Sequence, residues 1–155
     1  MRLTIINIAN KMPSWVESAC EEYLKRINYG KYSCKIISIK AEKNHKIALE
    51  NMALEAKKIK TQIPQGAFII ILDEKGVQLN SVDFAKKLEY IELNNQNIVL
   101  VIGGADGIHE ELKKQAHLIV SISLFTFPHA LVRIVILEQL YRAITILENH
   151  PYHRE

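Results

Sequence analysis

The stretch that most constrains this chain runs from Leu118 to Glu155, LIVSISLFTFPHALVRIVILEQLYRAITILENHPYHRE. It reads as an apolar strand, a tight loop ending at Pro128-His129, a long helix and a polar tail of aromatic and basic residues. Between Ala130 and Leu147 the polar positions shrink to Arg133, Glu138, Gln139, Arg142 and Thr145. An ordinary surface helix has one apolar stripe and a broad polar face. Here Leu131, Val132, Ile134, Val135, Ile136, Leu137, Leu140, Tyr141, Ile144, Ile146 and Leu147 spread round the cylinder. Such a helix has to be covered on nearly every side. The chain's own sheet can cover one side, and a second copy is the simplest cover for the other. A homodimer through this helix is expected.

The rest of the chain supplies the sheet. Leu3 to Ala9, Cys34 to Ile39, Phe68 to Leu72, Ile98 to Ile102 and Leu118 to Ile122 read as strands. The runs FIIIL and IVLVI are apolar without alternation, which marks strands buried on both faces, as in a parallel sheet. Helices are expected between them. The first is capped by Ser14 with Glu17 three residues on, buries Val16, Ala19, Cys20, Tyr23, Leu24 and Ile27, and stops at Gly30. The second spans about Glu42 to Thr61, with Ile47, Leu49, Met52, Ala53, Ala56 and Ile59 inward. Asp73-Glu74-Lys75-Gly76 is expected to turn the chain. Ser81 is expected to cap the third helix, with Phe84, Ala85, Leu88 and Ile91 inward. A short fourth helix covers about His109 to Ala116. Strand and helix thus alternate without linker or repeat, which predicts an α/β fold with a largely parallel sheet flanked by helices, as one domain over residues 1–155.

Composition narrows the function. The chain has 155 residues, 48% hydrophobic and 24% charged, as in ordinary globular proteins. No apolar run reaches the roughly 18 residues that a membrane span needs. The first residues, MRLTIINIANKMPSW, lack the apolar core and cleavage site of a signal peptide, so a cytoplasmic location is expected. Two cysteines, Cys20 and Cys34, make neither a disulfide framework nor a four-cysteine metal site. His150 and His153 have no evident third ligand, so no metal is expected. A net charge of +3 is too small to argue for nucleic acid on its own.

In parallel sheets ligands bind beyond the carboxyl ends of the strands. Three loops qualify: Leu72-Asp73-Glu74, Ile102 to Gly107, and Ile122 to His129. The middle one lacks the G-x-G-x-x-G spacing of a dinucleotide site. Gly103-Gly104 implies a close approach to the backbone, a turn with positive φ, or simply a tight strand exit. The third loop is low in charge and carries two hydroxyls, which suits an adenine held by backbone groups. There is no phosphate-loop lysine and no Gly-x-Ser-x-Gly elbow. Glu138 and Arg142, four apart, are either an intrahelical ion pair or a substrate contact.

These residues carry a family resemblance. Ile102-Gly103-Gly104, Leu124 to His129, Leu131-Val132-Arg133, Glu138 to Ala143, Asn149 to Glu155, Lys11-Met12-Pro13-x-Trp15-Val16 and Glu22-Tyr23 resemble the RlmH (YbeA) family. These are small SPOUT-class methyltransferases of 23S ribosomal RNA, acting on N3 of a pseudouridine. The resemblance covers the whole chain. It implies a C-terminal trefoil knot, which periodicity does not show and general topology rules oppose. It implies S-adenosylmethionine as cofactor, a homodimer packed through the last helix, and an assembled ribosome as substrate. The expected cofactor contacts are Leu72, Gly103, Gly104, Ile122, Ser123, Leu124, Phe125, Thr126 and Phe127. His153, Arg154, Arg142 and Tyr152 are the catalytic candidates, and His129, Arg133, Tyr152 and Arg154 the substrate-binding ones. Lys11, Lys25, Arg26 and Lys31 are further candidates for RNA contact. Two other readings compete: a dinucleotide-dependent oxidoreductase, and a dimeric binding module that has lost its chemistry.

Overall fold

A computed structural model of the chain describes residues 1–43, 47–94 and 97–154. Five strands alternate with five helices: β1 Arg2–Ile8, α1 Ser14–Ile27, β2 Ser33–Ile39, α2 Ala48–Gln62, β3 Phe68–Gln78, α3 Ser81–Asn94, β4 Asn97–Ile102, α4 Glu110–Lys113, β5 Leu118–Ser121 and α5 His129–Leu147. The strands form one wholly parallel sheet in the order β2-β1-β4-β3-β5.

Side chains alternate across each strand, so each strand serves two cores. Leu3, Ile5, Ile70, Ile98 and Leu100 face α1, α3 and α5. Ile6, Ile8, Ile69, Ile71, Val99 and Val101 face the side that holds α2 and α4. This double burial is why FIIIL and IVLVI show no polar alternation. Ile5, Ile70, Ile71, Ile98 and Leu100 are fully buried, and each such side chain contributes roughly 1.5–3 kcal/mol of transfer free energy.

α5 packs against both α1 and α3. Its inward side is Ile136, Leu137, Leu140, Ala143 and Ile144, all buried. Leu131 is exposed and Val135 is only half-covered. At four-residue spacing these two form a stripe that the chain's own elements leave open, continued one and two turns on by Glu138 and Arg142.

Several local expectations are corrected. Ser14 is the first helical residue rather than the cap; Pro13 stands at the cap position without a side-chain bond. Pro suits a helix start because its missing N–H is one the helix leaves unpaired there. Ser81 does not cap α3 either. Asn80 does, its Oδ1 accepting from the Asp83 N–H at 2.8 Å, while the Ser81 hydroxyl donates to Gln139 on α5 at 2.7 Å. Ile47 and Leu49 are exposed, not inward, because α2 starts only at Ala48 and its early turn lies off the sheet. The expected first turn of that helix includes residues 44–46, which lie outside the described residues.

Asp73 to Gly76 is not a simple turn. β3 continues to Gln78, and its register against β5 jumps between Leu72 and Val77, both opposite Val120. The excursion passes so near β5 that a Cβ at Gly76 would sit 2.5 Å from the Val120 carbonyl carbon. Only glycine fits there. Gly76→Ala should therefore lower stability by about 1–3 kcal/mol through overpacking against main chain, read as a lower urea midpoint at unchanged slope. The control, Gly30→Ala, meets no neighbouring atom and carries only the cost of its positive φ.

Candidate functional site

The register brings the first group of expected site residues together. Leu72 pairs with Ile102 on β4 and with Val120 on β5. The ends of three adjacent strands thus place Leu72, Gly103 and Ile122 side by side. Gly103 and Gly104 are buried; Ile122, Ser123 and Phe127 are half-buried; Thr126 is exposed. Leu124 and Phe125 are 88% and 82% exposed. The loop is nonetheless ordered by its own hydroxyls. Ser121 Oγ donates to the Ser123 carbonyl at 3.0 Å, and Ser123 Oγ accepts from the Phe125 N–H at 2.9 Å. Two exposed apolar side chains beside polar backbone, with no charged side chain in the loop, suit a flat apolar group with polar edges, such as an adenosine.

The glycines have an internal explanation. A Cβ on Gly103 would lie 2.6 Å from Ile108 Cγ1, and one on Gly104 3.0 Å from Ile8 Cγ2. Only Gly107 of this loop has positive φ, at 90°. The close approach is by the chain's own side chains, so the paired glycines mark a tight strand exit. Behind them Glu55 is buried, with Oε1 accepting from the Glu42 N–H at 2.9 Å. Burial, with Asp106 and Glu42 nearby, raises its pKa, while that bond and Lys58 oppose the rise.

The second group is the tail, and it is built into the structure. α5 ends in a Schellman turn: the His150 N–H donates to the Thr145 carbonyl at 2.8 Å and the Asn149 N–H to the Ile146 carbonyl at 3.1 Å. Asn149 takes the left-handed conformation this requires, φ 54°. The chain then reverses over α5. Arg142 donates to Glu138 Oε1 through Nε at 2.9 Å and Nη2 at 2.5 Å. The Tyr152 hydroxyl donates to the same oxygen at 3.2 Å. The Arg142 guanidinium lies 4.7 Å from the Tyr152 ring centroid, and Tyr141 meets Tyr152 edge-on at 4.8 Å. His153 Nδ1 stands 3.3 Å from Arg142 Nη1. The Glu138–Arg142 ion pair is thus also the anchor of the tail. Hydrogen bonding to Glu138 pushes the Arg142 pKa further up, and burial, then Glu138, raises that of the Tyr152 phenol. Neither is a proton acceptor near neutrality. Arg154 is exposed, its Nε 3.4 Å from the Pro151 carbonyl. Glu155 lies outside the described residues.

The tail is anchored well along α5. Glu138, which holds Tyr152, lies nine residues beyond His129 on α5, about 14 Å along the axis. His129 itself is exposed at the start of α5. Of the other basic candidates, Lys25, Arg26 and Lys31 are exposed, and Arg26 and Lys31 are paired with Glu22 and Glu92. Arg133 turns the other way. It is 7% exposed, and Nη2 donates to Ser38 Oγ at 2.6 Å and Asn7 Oδ1 at 3.2 Å. Among the described residues no group of His, Cys, Asp and Glu could hold a metal ion, and no helix is long and apolar enough to cross a membrane. Both cysteines are buried thiols, and burial pushes Cys34 up to about 12.

A parallel sheet with loops gathered at the ends of three neighbouring strands, closed by a C-terminal helix, is here the frame of a methyltransferase: residues 1–153 match the family described as predicted SPOUT methyltransferase, and the chain belongs to that family. Its relatives within the family carry a narrower name. The chain is 44% identical over 156 residues, all of both chains, to "Ribosomal RNA large subunit methyltransferase H" of Neisseria gonorrhoeae (strain NCCP11945). It is 43% identical over 155 residues, 99% of each chain, to the protein of that name from Janthinobacterium sp. (strain Marseille). A solved structure of a probable methylase family protein from Haemophilus influenzae Rd KW20 shares the fold, with TM-score 0.55 at 13% identity over 99% of this chain and 70% of that one.

The tail's order is testable. Glu138→Ala removes the acceptor shared by Arg142 and Tyr152, a charged hydrogen-bonded hub worth about 1.5 kcal/mol or more. Amide exchange across 150–154 should then quicken roughly tenfold, with the strands unchanged, as read by mass spectrometry. Unchanged exchange in the tail would mean that the Schellman turn alone orders it.

Proposed function

We propose that this protein transfers the methyl group of S-adenosylmethionine to N3 of a pseudouridine in 23S ribosomal RNA, acting on assembled ribosomes in the cytoplasm. The observation that carries the reading is the end-to-end identity of 44% with a protein named for methylation of large-subunit ribosomal RNA. It displaces the oxidoreductase reading, which also lacks its glycine fingerprint. The retained tail cluster weighs against a module that has lost its chemistry.

The cofactor supplies an electrophilic methyl on a sulfonium. On this reading Leu72, Gly103, Gly104 and Ile122 to Phe127 hold it, with all 155 residues forming one catalytic domain. The trefoil knot belongs to the same reading. It is supported by the path of α5, which leaves β5 at one edge of the sheet and sends Arg133 to Asn7 on β1 and Ser38 on β2.

The active form is a homodimer with composite sites. Two observations support it. Leu131 and Val135 lie open on the same stripe of α5 as the tail cluster, and that cluster is anchored at Glu138, nine residues and so about 14 Å of helix beyond His129. A two-fold axis beside α5 would bring one chain's tail to the other's cofactor loops. There Arg142, His153 and Arg154 act on the base and Tyr152 stacks on it. Guanidinium groups only donate, so His153 Nδ1 accepts and the ring proton sits on Nε2. His153 then offers a donor, and the cluster as a whole stabilises the negative charge that develops on the uracil-like ring as its N3 proton leaves.

Light scattering at micromolar concentration should give a dimer; a soluble monomer overturns the composite site. Deleting residues 152–155 should abolish transfer while S-adenosylmethionine still binds and still slows amide exchange at 103–104 and 122–127. Chains lacking the tail, mixed with Ser123→Trp chains whose cofactor loop is broken, should regain partial activity. No recovery would place each site within one chain. The substrate is tested separately. Methyl transfer to unmodified ribosomes should exceed transfer to protein-free 23S RNA by at least about tenfold, because a +3 chain must rely on shape rather than charge. Equal rates would overturn recognition of the assembled particle.

A further inference from the structure

A cavity of about 590 Å³ opens between α1 and the carboxyl ends of β1 and β2, and none of residues 72, 103–104 or 122–127 lines it. It is of ligand size. Its strand side carries Arg133, Lys11, Lys40 and Ser38; its α1 side carries Glu17 and Glu21. The lysines and glutamates are exposed and Arg133 is nine-tenths buried. Among the described residues no carboxylate forms an ion pair with Arg133. Its bonds go to a neutral amide and a neutral hydroxyl, and its Nε is buried without a partner. Burying a cation without a counter-ion is costly, and so is an unsatisfied buried donor. The uncompensated charge points to a missing anion, one that meets the Arg133 guanidinium where it lines the cavity.

We infer that this cavity is a second nucleotide subsite of the RNA substrate, with a phosphodiester on Arg133 and the lysines and ribose or base donors on Glu17 and Glu21. The mixed lining selects this occupant. A bare phosphate would meet two carboxylates across the cavity. A nucleotide instead presents an anion at one end and hydroxyl or N–H donors at the other, and Met12, Leu24 and Ile36 supply apolar lining for the base. The inference rests on the RNA reading above and adds a contact that the tail and the cofactor loops do not make.

The test is binding of unmodified ribosomes by the full-length protein at a series of KCl concentrations. Neutralising a residue on a phosphate should flatten the slope of log K against log salt by about 0.7–0.9. Arg133→Met should do so and weaken binding roughly tenfold at moderate salt. The exposed pair Lys11→Gln with Lys40→Gln should flatten it without risk to the fold, and so decides the matter if Arg133→Met is unstable. Affinity for S-adenosylmethionine and dimer mass should be unchanged. Unaltered slopes overturn the inference. A loss of cofactor affinity would assign the cavity to the cofactor, and dissociation of the dimer would assign Arg133 to a carboxylate of the second copy; either also overturns it. Methyl transfer by the wild type on the same ribosomes is the separate check. If it occurs while the slopes do not move, the subsite fails and the proposed function stands.

Discussion

The burial of α5 in the groove between α1 and α3 is the contact on which the other features depend. Leu137, Leu140 and Ala143 are fully buried there, against the sheet face formed by Leu3, Ile5, Ile70, Ile98 and Leu100. A packed helix is a rigid spacer of 1.5 Å per residue. Once its middle is fixed, both ends are fixed. The N-terminal part carries Arg133 to the ends of β1 and β2, and the middle carries Glu138 and Arg142 to the open side. Losing one of the central leucines would leave a cavity costing about 2–5 kcal/mol. It would also loosen two polar arrangements that the leucine does not touch.

Those arrangements contrast in a way that separates their roles. Arg133 and Arg142 are nine residues apart on one helix. Arg142 has a carboxylate, a tyrosine face and an imidazole about it. Its charge is paired with Glu138 within the chain, and that pair also holds the tail. Arg133 has two neutral acceptors and an idle Nε. Among the described residues its charge has no ion-pair partner. The first arrangement has its ion-pair partner within the chain; the second, among the described residues, does not.

Much of the fold was legible because the strands are buried on both faces. FIIIL and IVLVI have no polar face to lose, and β3 and β4 are where their apolar runs place them. The helix caps were less legible, because Ser14 and Ser81 satisfy the cap pattern while Pro13 and Asn80 occupy the cap positions. Gly76 looked like a turn residue because the main chain of β5, close enough to exclude a Cβ, leaves no mark in its neighbours. The reversal of the tail did leave a mark. Asn149 followed by Pro151 is the sequence of a left-handed helix stop, and its left-handed φ sends Tyr152 back to Glu138. The loops proposed to hold the cofactor could be read as strand ends. The cavity at Arg133 could not, since it joins α1, β1, β2 and α5 across up to 126 positions of sequence.

On the proposed reading, the composition of the tail also bears on how the proton leaves. A general base needs a free lone pair, and Arg142 takes the one on His153 Nδ1. The Tyr152 phenol is held protonated by burial and by Glu138, and Glu138 itself accepts from both Arg142 and Tyr152. The cluster is therefore rich in donors and poor in acceptors. A uracil-like N3–H lies between two carbonyls, and the charge left by its proton resides largely on their oxygens. Donors aimed at those oxygens lower the free energy of the anion whatever takes the proton. Water can serve as the acceptor, since nothing in the cluster competes for that role. The side chains then do two things that a fixed base would not. They hold the ring in the plane needed for N3 to meet the methyl in line, and they make the nitrogen nucleophilic through donors aimed at the flanking oxygens.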